Sequence, residues 1–167
     1  YIYWIAYLMV FLLIALYFTH SISSNAAGSG LPEMKCILSG VTLEKYLSIR
    51  ALIAKSLGLL TALLSGMMIG QEGPIIHISS CLVNILTRAK NGIRIFEQLG
   101  KNPSVRTQLL ASACAVGVSV TYSAAVGGVL FSIEVTSTYY PIRNYWFAFI
   151  ASIPAGLIFR LCWNNYI

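Results

Sequence analysis

The stretch Gly66-Met67-Met68-Ile69-Gly70-Gln71-Glu72-Gly73-Pro74-Ile75-Ile76-His77 breaks an otherwise continuous apolar sequence with three glycines, a carboxylate and a proline. Proline suits the first turn of a helix, where its missing N–H is one that would have no intrahelical partner, so Pro74 predicts a helix start. The amides of Gln71, Glu72 and Gly73 then lie at or just before a helix N-terminus, where aligned peptide dipoles favour an anion. Glycines at 66, 70 and 73 let the backbone bend and expose those donors without obstruction from a Cβ. A small anion site is expected here, and Glu72 brings its own anion to it. Because a tethered carboxylate and a free halide compete for the same donors, Glu72 is expected to plug the site when ionised and to vacate it when displaced or protonated. The plainer role for such a glutamate is to cap its own helix.

Composition supplies the context that favours the gate. The chain is 57% hydrophobic and 10% charged, with five acidic residues, all of them glutamate. A soluble domain carries about 25% charged residues, so an integral membrane protein in contact with the lipid bilayer is expected, and intramembrane carboxylates are costly and usually functional. The net charge of +6 fits a protein that handles anions or sits beside anionic lipid. The basic residues are scattered, with no basic helix carrying interleaved aromatics, so no nucleic-acid partner is expected. Cys36, Cys81, Cys114 and Cys162 are widely spaced and read as buried small apolar side chains, not as a metal site or a disulfide framework. The chain opens on Tyr1 without a methionine or a basic n-region, so its first apolar run is not expected to be a signal peptide, and a piece of a longer protein is expected.

Residues 1–19 are uniformly apolar and aromatic, and at about 1.5 Å per residue they are long enough to cross a hydrocarbon core of about 30 Å. Residues 21–30 are small and polar and lead into Leu31-Pro32-Glu33-Met34-Lys35. Glycines 28 and 30 bracket Ser29, and Pro32 predicts a short helix ending near Gly40. This is a second copy of the same device, with a neutral hydroxyl at Ser29 where Glu72 offers a carboxylate. A simple helix cap is the alternative for Ser29. Short interrupted hydrophobic segments whose N-termini converge within the membrane are how transporters and channels build ion sites.

Residues 43–66 predict one long helix with Glu44, Lys45, Arg50 and Lys55 in its first half, near the interface where long basic side chains snorkel. Residues 74–88 predict the returning helix, with His77 as a buried, hydrogen-bonded imidazole. Residues 91–106 form a polar connector that, with Arg88 and Lys90, is basic and suggests a cytoplasmic loop. In residues 105–120 Ala111, Ala115 and Ser119 are spaced by four, which permits close helix packing in lipid. Gly127-Gly128 is expected to open a helix running to about Tyr139 and carrying Glu134, whose plain role is a structural hydrogen bond. A turn at residues 141–145 and a last span at 146–163 follow, with Trp146, Trp163 and Tyr166 as interface anchors.

These residues resemble the CLC family of voltage-gated chloride channels and chloride/proton antiporters. Gly28-Ser29-Gly30-Leu31-Pro32-Glu33 is similar to the family's GSGIPE motif, and Gly70-Gln71-Glu72-Gly73-Pro74 with His77 is similar to its GKEGP motif. The run from Gly128 to Tyr139, with Arg143-Asn144-Tyr145-Trp146, resembles the plasma-membrane animal channel branch. The resemblance implies an all-α membrane bundle with interrupted and half-spanning helices, of which residues 1–167 are most of the first of two inverted halves. It further implies a homodimer with one pore per subunit, a second half supplying further amides and a tyrosine hydroxyl, and cytoplasmic CBS domains. Ser29, Gly30 and Leu31 would contact the central anion, Glu72 would be the gating glutamate, and the amides from Gln71 through Gly73 to Ile75 would line the outer site. Chloride is the implied transported ion, with no catalytic residue, metal or cofactor, and a plasma-membrane location.

Two departures stand out. Gln71 replaces the basic residue usual before the gating glutamate, and Ala125 stands where the family usually has a proline, which is expected to soften the helix break there. Antiporters of the family carry a second, inward-facing glutamate just after the position matching Glu134. Here it is Val135, which cannot relay a proton, so passive anion flow is expected, with chloride/proton antiport as the alternative. An intramembrane hydrolase using Ser29 or Glu72 with His77 lacks HExxH or GxSxG spacing. A purely structural assembly module would leave the two glycine-flanked helix starts unexplained.

Overall fold

The computed structural model describes residues 1–43, 45–88, 102–136 and 142–164, and these contain helices and turns with no strand. Helix α1 spans Ile2–Ile22, α2 Leu31–Leu38, α3 Ile49–Leu64, α4 Glu72–Arg88, α5 Pro103–Tyr122, α6 Ala125–Phe131 and α7 Ile142–Asn164. A short 3-10 turn, Ser24–Ala26, follows α1, and a π-helical turn, Ser132–Thr136, continues α6. What the sequence suggests for Glu44, residues 89–101, residues 137–141 and Tyr166 lies outside the described residues, and residues 103–106, expected to belong to the polar connector of residues 91–106, are instead the first turn of α5.

The outer surface is apolar, unlike that of a water-soluble bundle, around an interior that holds both apolar and small polar residues. Helix α1 is apolar up to Phe18 and buries Ala15, while Leu13, Leu16 and Tyr17 face outward. On α7, Asn144, Ala148, Ser152 and Gly156, spaced by four, form the buried stripe, and Trp146, Ile150, Leu157 and Leu161 are exposed. Small and polar residues inside with large apolar ones outside is what lipid selects, because lipid tails are as apolar as leucine and close backbone approach drives association instead. Among the described residues, two helices are long and apolar enough to cross a membrane, Ile2–Ile22 and Asn144–Trp163.

Helix α5 is the axis of the molecule, packed against α4, α6 and α7. Its stripe Ala111, Ala115, Ser119 is buried, as the spacing predicts. A Cβ at Gly117 would lie 3.1 Å from Ile76 Cα on α4, and one at Gly128 of α6 would lie 2.5 Å from the Ala115 carbonyl oxygen. Along the other side, α1 packs on α3, where a Cβ at Gly58 would lie 2.9 Å from Thr19 Cγ2.

Several boundaries differ from the sequence expectation. Helix α3 starts at Ile49, not at residue 43, because Ser48 caps it by accepting the Ala51 N–H at 3.3 Å. The residues before Ser48 form a turn whose carbonyls are taken by α4 side chains. Helix α4 begins at Glu72, two residues ahead of Pro74, with the Ile75 N–H donating to the Gln71 carbonyl at 3.1 Å. Helix α6 begins at Ala125 and passes into the π turn, where Ser132 donates to the Ala111 carbonyl at 2.9 Å. Helix α7 already includes Ile142, where a turn was expected. The break before α6 is sharp without a proline. Ser123 takes a left-handed conformation (φ 54°), and the Ala124 N–H closes α5 on the Ser119 carbonyl at 3.1 Å. Of the four cysteines, Cys81 and Cys114 are buried as expected, while Cys36 and Cys162 lie on outer surfaces.

Candidate anion site

The two glycine-flanked helix starts, 43 residues apart in sequence between Ser29 and Glu72, meet in space. Gly30 caps α2 in a left-handed conformation (φ 95°) with no side-chain hydrogen bond, and Pro32 occupies the first turn. First-turn amides of a helix have no intrahelical acceptor, so this geometry leaves donors at the α2 N-terminus. Gly73, in the first turn of α4, packs so closely on Ser29 that a Cβ there would collide with the Ser29 hydroxyl and lie 2.8 Å from the Ser29 carbonyl oxygen. Glycine at 73 is therefore what allows the two helix starts to touch. Of the predicted site residues, Ser29 and Gln71 are exposed, Gly30 and Gly73 buried, and Leu31, Glu72 and Ile75 intermediate.

A polar face of α4 holds this junction from behind. His77 is fully buried, its Nε2 3.2 Å from the Tyr46 carbonyl oxygen and its ring stacked on Tyr46 at 4.1 Å between centroids. The expected buried, hydrogen-bonded imidazole is what the structure contains. Cys81, one turn on, reaches the same carbonyl at 3.9 Å, and Asn84 Nδ2 donates to the Leu47 carbonyl at 2.7 Å. Asn84 Oδ1 in turn accepts from Arg106 at 2.8 Å, tying α5 to the same turn. Gly30 rests on this assembly: a Cβ there would lie 3.0 Å from the Tyr46 hydroxyl and 3.1 Å from His77 Cβ.

Two residues at the site escaped the sequence reading. Lys55 does not snorkel to an interface. It is 4% exposed, and its ammonium donates to the Ala26 carbonyl at 3.0 Å and to the Gly28 carbonyl, clamping the loop that presents Ser29. The signal was a lysine amid small residues, Ala51, Ala54 and Gly58, on α3. The second is Tyr122, whose hydroxyl donates to Glu72 Oε1. No motif marks it. Glu134 and Val135 are both exposed, on the π turn that packs against α2.

A family described as voltage gated chloride channel matches residues 11–167. Human "Chloride channel protein 2" is 45% identical over 99% of this chain and 18% of its own length. The Caenorhabditis elegans "Chloride channel protein clh-3" is 46% identical over 96% of this chain and 16% of its own length. A crystal structure of a eukaryotic CLC transporter superposes with a TM-score of 0.89 at 33% identity, covering 94% of this chain and 29% of that one. The chain thus spans under a fifth of the length of these curated relatives. With the match covering nearly all of its residues, this all-helical chain belongs to the membrane-embedded voltage gated chloride channel (CLC) family.

Proposed function

We propose that the chain is part of a voltage-gated chloride channel that conducts anions passively, with Glu72 as its gate. The contact between Ser29 and Gly73 carries the reading, because it brings the two helix starts together, with Glu72 the chain neighbour of Gly73. Each N-terminus favours a nearby anion by roughly 0.3–1 kcal/mol when exposed, and by more when partly buried. In this reading Ser29, Gly30 and Leu31 at the start of α2 and Gln71 and Gly73 at the start of α4 hold the anion, the Glu72 carboxylate competes for the α4 donors, and the expected Ile75 amide does not join them because its N–H already donates to the Gln71 carbonyl. The family and the names of the relatives support chloride as the ion. A homodimer in the plasma membrane is part of the same proposal. Antiport is favoured by one observation, the likeness to a structure described as a CLC transporter, and Val135 weighs against it because its side chain cannot carry a proton.

The test is patch-clamp recording of the full-length gene product with Glu72→Gln. The variant keeps the shape of the side chain and loses its charge, so the open-to-closed ratio rises by roughly tenfold or more, about 1.4 kcal/mol, at voltages and pH values that close the wild type. Unchanged gating removes Glu72 from the role. In the same recordings the reversal potential follows the chloride gradient alone, whereas a reversal potential that also moves with pH assigns the chain to an antiporter.

A further inference from the structure

Glu72 has a partner that its own helix does not supply. Helices α4 and α5 run antiparallel and come closest where Gly117 meets Ile76. Four residues back along α4 from Ile76 lies Glu72, and five residues on along α5 from Gly117 lies Tyr122, so the close approach delivers one to the other. Tyr122 is the last residue of α5, and its place is set by the chain reversal at Ser123, whose left-handed conformation ends the helix. There the Tyr122 hydroxyl donates to Glu72 Oε1.

We propose that Tyr122 is a latch for the gate: its hydroxyl competes with the anion donors for the Glu72 carboxylate and so favours the open pathway. This rests on the assignment of Glu72 as gate. An ionised carboxylate must be hydrogen-bonded wherever it goes, and a gate that opens without being protonated needs a second acceptor-satisfying position. Tyr122 provides one. Among the described residues it is the titratable side chain in contact with Glu72. Glu33, Tyr46 and, from α3, Lys55 act on His77 instead, further along α4. The Tyr122 ring is 56% exposed, so its hydroxyl can be removed with little disturbance to packing.

The experiment compares Tyr122→Phe, Glu72→Gln and the double variant in the full-length gene product, with surface expression measured for each. Losing one charge-assisted hydrogen bond is expected to raise the closed-to-open ratio of Tyr122→Phe by about threefold to tenfold. The pH of half-maximal current falls by about half a unit to one unit, because the ionised carboxylate has lost its bond to Tyr122 and opening then depends more on protonation. Single-channel conductance and halide selectivity stay unchanged, and Glu72→Gln and the double variant are alike. A ring-fluorinated tyrosine at 122, equal in fold and stronger as a donor, moves the ratio the other way. If Glu72→Gln alters gating but neither substitution at 122 does, the latch is wrong and the gate stands. If Tyr122→Phe changes conductance or selectivity in the Glu72→Gln background, Tyr122 acts on the pore directly and the latch is again wrong. If Glu72→Gln itself leaves gating unchanged, the gate reading fails first.

Discussion

Lys55 takes its charge inward. A buried ammonium is tolerated where fixed acceptors replace its water, and the carbonyls of Ala26 and Gly28 do so here, in a loop that makes few bonds of its own. The same two bonds fix the backbone that presents Ser29, so Lys55 links the stability of the fold to the shape of the candidate anion site. Replacing it with methionine, Lys55→Met, keeps the length and removes the donor, leaving two carbonyls unpaired. A loss of about 1–3 kcal/mol is expected, read as a lower thermal midpoint of the purified full-length protein in detergent; an unchanged midpoint would show that water substitutes for the ammonium. Snorkelling was the natural expectation for a lysine in the first half of an apolar helix. What reverses it is tertiary: α1 and the 3-10 turn lie over α3 at this level. The pairing of Tyr122 with Glu72 was hidden for a similar reason, since it depends on how far two antiparallel helices slide past each other.

At the scale of helices, small residues decide the arrangement. Gly128 lets α6 lie against α5 with its Cα facing the Ala115 carbonyl and Ser119, whose N and Cβ atoms would be 2.8 and 2.9 Å from an added Cβ. These are backbone and near-backbone atoms that cannot swing away. Gly128→Ala is therefore expected to cost about 1–3 kcal/mol and to lower the thermal midpoint, whereas Gly156→Ala on α7, which meets nothing within 4 Å, should leave it unchanged or slightly raised. Equal effects at the two positions would count against packing as the cause. The all-helical class, the two proline-marked helix starts and the four-residue stripe on α5 were legible because each rests on local chemistry: hydrophobic length, missing N–H groups, missing side chains. Helix ends set by tertiary bonds were not. The start of α3 depends on the turn at Tyr46 and Leu47, whose carbonyls are held by His77 and Asn84 from a helix about thirty residues away. The break at Ser123 survives the absence of proline at Ala125 because Gly128 and Ser119 already force α6 to turn back on α5.

Taken whole, the molecule is a set of lipid-facing helices around a polar seam. His77, Ser80 and Asn84 on α4, Ser112 and Ser119 on α5 and Ser132 beyond α6 are all buried, and most are bonded across helices or back to their own. That seam fixes α4 against its neighbours, and the first turn of α4 emerges from it beside Ser29. The convergence of α2 and α4 is thus a property of the entire bundle, which is why substitutions as distant as Gly128 and as near as Gly73 bear on it. On the proposed function, a halide and the Glu72 carboxylate take turns at the α4 N-terminus. Bromide scatters anomalously and replaces chloride, so crystals of the full-length protein grown in bromide, wild type beside Glu72→Gln, test it most directly. A bromide peak is expected within hydrogen-bonding reach of Ser29 and the amides of Gln71, Glu72 and Gly73, with a position that gains occupancy in Glu72→Gln. Equal bromide occupancy in the two proteins, or no peak between the starts of α2 and α4, would contradict it.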